Sequence, residues 1–146
     1  MPTGAQPTPD VTETPEPTPE QPTGTVIGSG AFDSDTGVGL NTHTVWTAAE
    51  QPDGSVKLTL SVYVRSYTME IGRRAIGISV NGVEASGMTR SFSVNSPNAQ
   101  TDTLIYSYAT TVEKGSVTIS VDWNYKGQYS GQELDVISSS TIVPIS

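Results

Sequence analysis

The sequence has 146 residues, a formal charge of −8 and no cysteine. That length suits one domain with an appendage. The missing cysteines exclude disulfides, thiolate zinc sites and cysteine nucleophiles. The absence of any basic stripe argues against a nucleic-acid partner, and no apolar run is long enough to give a membrane-spanning helix.

The first 24 residues, MPTGAQPTPDVTETPEPTPEQPTG, hold seven of the ten prolines and four carboxylates, Asp10, Glu13, Glu16 and Glu20, without a single Lys or Arg. Met1 leads into this segment without the basic and apolar regions of a secretory leader. Repeated Thr-Pro and Glu-Pro steps favour extended polyproline II and cannot bury a core. Fully extended, at about 3.1 Å per residue, the segment would reach roughly 75 Å. It reads either as a linker between modules of a larger surface protein or as an arm lying along a partner. Pro7, Pro9, Pro15, Pro17, Pro19 and Pro22 are the partner-binding candidates of such an arm.

Composition shifts at Thr25, and residues 25–146 form the expected domain, with 7 basic against 11 acidic residues. TVIGSGAF (25–32) reads as a first strand, followed by a Gly/Asp loop. HTVWTAAE (43–50) reads as a second strand, ended by the turn signal Pro52-Asp53-Gly54. SVKLTLSVYVRSY (55–67) puts Val56, Leu58, Leu60, Val62 and Val64 on one face and Lys57, Thr59, Ser61, Tyr63 and Arg65 on the other. These two strands predict an antiparallel hairpin.

Residues 75–80 and 83–86 flank Asn81-Gly82, a type I′ turn signal. Residues 88–96 and 102–112 read as strands split at Pro97-Asn98. SVTISVDWNY (116–125) alternates strictly, with Val117, Ile119, Val121, Trp123 and Tyr125 on one face. Residues 126–131 read as a loop, and ELDVISSSTIVPI (133–145) as the last strand. Eight or nine short strands with turn chemistry between them, and no helical periodicity, predict an all-β fold. The expected form is an antiparallel immunoglobulin-like β-sandwich preceded by the extended arm.

No residue set selects a reaction, so the expectation is a protein without enzymatic activity or cofactor. His43, the single histidine, has no second histidine or cysteine to share a metal, and no G-x-S-x-G elbow accompanies it. Asp33 and Asp35 have the D-x-D-x-G spacing that opens many calcium loops, but no later acid completes an EF-hand set, and turn formation accounts for them. Trp123 is in register with the core. Tyr63 and Tyr129, the latter in the presumed Gly-flanked loop, are the surface aromatics for a sugar-stacking platform. Arg73-Arg74 offers a contact for an acidic partner, including the acidic arm of a second copy in a homo-oligomer.

Residues 109–143 resemble β-sandwich modules in tail and other minor structural proteins of long-tailed bacteriophages. The shared features are Gly115 before an alternating strand, Trp123 and Tyr125 at its end, the Gly127–Gly131 segment, and the Ser138–Thr141 run. The resemblance covers about a quarter of the chain. It implies a decoration protein of the virion, on capsid or tail, with other virion structural proteins as partners. The Pro/Thr/Glu segment departs from that pattern and fits equally a module on a bacterial cell surface that binds a glycan or a host protein.

Overall fold

The structure, a computed structural model, describes residues 24–146. The six arm prolines lie outside the described residues. Those residues form ten strands: β1 (Thr25–Asp33), β2 (Asn41–Glu50), β3 (Val56–Ser66), β4 (Met69–Ile71), β5 (Ala75–Val80), β6 (Val83–Met88), β7 (Phe92–Val94), β8 (Thr101–Val112), β9 (Gly115–Tyr129) and β10 (Gln132–Ile145). Among the described residues there is no helix.

All pairings are antiparallel. One sheet has the order β1-β2-β3-β8, a second β10-β9-β5-β6, and β4 pairs with β7 in a small two-stranded sheet. The alternation read in the sequence sets which faces are buried. Val56, Leu58, Leu60, Val62 and Val64 of β3 and Val117, Ile119, Val121 and Trp123 of β9 are all essentially inaccessible and belong to one hydrophobic cluster. The two large sheets therefore form two layers over one core. Trp123 is core, as its register predicts, and Trp46 is buried as well. Asp122, between two core residues of β9, faces solvent.

Turn chemistry fixes the register. Asn81 and Gly82 both have positive φ, 51° and 83°, as a two-residue type I′ hairpin requires. Asn81 also extends the β9 ladder, since its N–H donates to Thr118 O and its side-chain carbonyl accepts from Thr118 N–H, each at 2.8 Å. At Pro52-Asp53-Gly54, Asp53 accepts from the Ser55 hydroxyl at 2.6 Å and the Ser55 N–H at 3.0 Å.

The presumed loop at 126–131 is a correction. β9 runs through it to Tyr129, and the reversal is a second two-residue turn, Ser130-Gly131, with φ of 53° and 80°. Two residues of β9, Tyr125 and Lys126, stand against Asp135 alone in β10. This bulge takes Lys126 to a φ of 44° and bends the ribbon. β5 pairs with β9 only as far as Trp123, so Asn124–Tyr129 and Gln132–Val136 continue past the sheet as a two-stranded ribbon.

The register also defines two poles. Thr25, Glu50, Val56 and Val112 lie in one row across the first sheet. The short β8–β9 turn and the Gly115–Ile145 pair carry that end into the second sheet. The start of β1 and the end of β10 thus share a pole, the terminal pole. The opposite pole, the loop pole, gathers the β1–β2 loop, β4, β7 and the β9–β10 ribbon.

Candidate functional site

The loop pole brings Tyr67, Tyr125 and Tyr129 together around one groove. Tyr67 follows the end of β3 and remains 41% exposed. Its ring lies against Gly39, where an added Cβ would come within 3.5 Å of Tyr67 Cε2. Gly39 has a φ of +84° and its carbonyl accepts from the Gln100 side chain at 2.6 Å, so the surface behind the ring is itself held in place. The Tyr67 N–H donates to Tyr129 Oη at 3.0 Å, tying the ring's backbone to the ribbon. Tyr125 curls back along Gly127 and donates its hydroxyl to Gln128 O at 2.5 Å. Burial pushes the Tyr125 phenol above its ordinary pKa, with the nearby Arg74 guanidinium opposing the shift.

These residues border a groove of about 550 Å³ between β4 and the ribbon. Met69 and Tyr129 form its apolar floor, Pro97 and Tyr67 its exposed aromatic and proline walls, and Gln128 and Glu70 its polar rim.

Tyr129 is accordingly not the exposed loop aromatic expected from its glycine neighbours. It occupies an inward position of β9 and is only 9% exposed. Of the flanking glycines, Gly127 leaves room for the Tyr125 ring and Gly131 serves the two-residue turn. Tyr67, absent from the sequence candidates, is the exposed ring of this pole. Its signal was its place just after the last inward residue of β3, where alternation stops.

Arg73 and Arg74 do not act as a matched pair. Arg73 is exposed. Arg74 donates Nε–H to Tyr125 O at 2.8 Å and its backbone N–H to the Thr89 hydroxyl at 3.1 Å, while its carbonyl accepts from the Thr89 N–H at 2.8 Å. Arg74 is thus a clamp between the start of β5, the end of β6 and the ribbon, and only Arg73 is freely presented to solvent.

Tyr63 lies on the outer face of β3, half-buried, with its ring centroid 6.2 Å from that of His43. His43 Nδ1 is 2.5 Å from Asp33 Oδ1. Arg65 grips Asp102 through two bonds of 2.8 and 3.1 Å and approaches Asp33 at 3.8 Å. Asp102 raises the Arg65 pKa further above its ordinary value. The result is a surface cluster, Asp33, His43, Arg65 and Asp102, that links β1, β2, β3 and β8, with cross-strand pairs of a kind worth about 0.2–1 kcal/mol each.

Asp33 and Asp35 are not brought together as ligands. The Asp33 carboxylate is engaged by His43 and Arg65, and Asp35 is exposed. The loop takes its shape from Asn41, whose side-chain carbonyl accepts from Thr36 N–H at 2.8 Å and from the Ser34 hydroxyl at 3.1 Å. Among the described residues no cluster of three His, Cys, Asp or Glu side chains is arranged to hold a metal.

No protein-family model matches the chain, and neither a curated protein nor a solved structure matches it.

Proposed function

We propose that this chain is a non-enzymatic structural module, a decoration protein of a phage virion, attached through its N-terminal arm with the domain projecting outward. The observation that carries this reading is that the domain's first and last strands share a pole. β1 starts at the pole where β10 finishes. Modules strung end to end leave by the pole opposite to their entry. A domain whose first and last strands meet at one pole is suited to stand on its attachment and hold its loop pole away from it. The likeness of residues 109–143 to phage structural modules supplies the particle.

The fold is read as an immunoglobulin-like sandwich. β3 and β8 are neighbours in one sheet while β5 and β9 are neighbours in the other, the interlocked exchange typical of Greek-key sandwiches. β1 is an added strand outside β2, and its presence brings the entry to the terminal pole.

Deleting residues 1–24 should abolish incorporation into the particle while leaving the circular-dichroism spectrum and melting transition of the domain. Normal incorporation of the shortened chain would contradict the reading.

A second reading, a bacterial cell-surface module that binds a glycan, draws on the half-exposed Tyr67 ring beside the polar rim of the groove. Binding of the intact chain to a glycan array, lost on Tyr67→Ala, would favour it.

A further inference from the structure

We infer that the loop-pole groove is a docking site for the Pro-rich N-terminal segment of a second copy of this chain, so that copies join arm to groove. This deepens the reading above by naming one partner of the arm, and it rests on separate observations.

The groove has the chemistry that recognises polyproline II. Tyr67 and Pro97 offer flat apolar walls, and the Tyr67 ring lies beside Gly39 with two-fifths of its surface open to a ligand. Proline carbonyls are strong acceptors whose segment has few N–H groups to satisfy. The groove answers with donors. Tyr129 Oη accepts the Tyr67 N–H, which leaves its own proton for an outside carbonyl, and the Gln128 amide stands on the rim. Aromatic-lined grooves with such donors bind Pro-rich segments because the ligand is already extended.

The chain carries such a ligand. Pro19 and Pro22 are three residues apart, one turn of polyproline II, and Pro15 and Pro17 precede them. The segment has four carboxylates and no cation; Glu70 is the one charged residue lining the groove, and the exposed Arg73 follows three residues after it in the chain.

Direction favours a second copy over the segment's own groove. β1 runs from the terminal pole toward the loop pole, so Gly24, where the segment joins the domain, lies at the pole opposite the groove. A stiff extended segment would have to reverse to reach the groove of its own domain. Arm-to-groove contact is heterologous, joining different surfaces of the two copies, and such contacts give rings or open chains.

Sedimentation velocity of the intact chain over a concentration series tests this. The expected result is concentration-dependent association that Tyr67→Ala weakens by about tenfold. Alanine at Pro15, Pro17, Pro19 and Pro22 should weaken it similarly without touching the folded domain, which covers the case in which the Tyr67 variant unfolds. A synthetic peptide of residues 1–24 should reverse the association. A chain that stays monomeric, or an association indifferent to both variants, would overturn the proposal. A monomer whose Tyr67-dependent binding is to a neutral glycan would overturn it in favour of a saccharide site. Self-association by a chain never found on particles would leave this inference standing and remove the virion reading.

Discussion

Trp46 lies over two glycines of the neighbouring strand. A Cβ at Gly30 would come within 2.8 Å of Trp46 Nε1, and one at Gly28 within 3.4 Å of the ring's far edge. Neither glycine has a positive φ, so they are present for space rather than for conformation. Gly30→Ala should therefore lower stability by about 1–3 kcal/mol, the usual cost of overpacking, measured by urea denaturation. A neutral result would mean that the indole can move aside. The same strand pair carries an opposite defect. Thr44 is fully buried, and its hydroxyl has no partner among the described residues. An unmatched buried hydroxyl costs free energy that an isosteric methyl does not. Thr44→Val should raise stability by about 1 kcal/mol in the same assay, and a loss would show that the hydroxyl is satisfied.

Alternation was legible in β3 and β9, where every second residue is large and apolar, and it named the core of both sheets correctly. It failed where one strand outruns its partners. Residues 126–131 contain two glycines, a lysine and a serine, which resemble a loop because the ribbon there has neighbours on one side only. Tyr129 keeps the inward phase of Val117, Ile119, Val121, Trp123 and Tyr125, so the same alternation carried past Tyr125 places it inward although glycines surround it. β4, three residues long, is held by pairing with β7, distant in sequence, and local pattern cannot reveal it. Arg74 is set by long-range bonds to Thr89 and Tyr125 for the same reason.

The β2–β3 turn was read directly from Pro52-Asp53-Gly54 and makes a pH prediction. The Ser55 hydroxyl, and next its N–H, hold the Asp53 carboxyl below the ordinary carboxylate range. A carboxyl lowered on folding stabilises the fold above its unfolded pKa, and that contribution is lost as pH falls through the folded value. The Asp53 carboxyl carbon should titrate below the usual aspartate midpoint of about 3.9, and Ser55→Ala should move it upward. A midpoint at the ordinary value would mean that the turn bond does not persist in solution.

For the whole molecule, the start of β1 and the end of β10 share one pole, while the opposite pole carries the groove, Arg73 and the exposed Tyr67. Under the proposed reading the first pole is the attached one. The sequence pointed to an arm and a β domain but not to this polarity, which depends on β1 adding outside β2 and on β10 returning along β9.

The measurement that tests the account most directly is limited proteolysis with a glutamate-specific protease, followed by mass spectrometry, on dilute isolated protein and on assembled particles. Glu13 and Glu20 supply sites within the arm. The account predicts cleavage there in the isolated protein and protection in the assembly. Equal cleavage in both would contradict it, making the segment a spacer rather than an attachment.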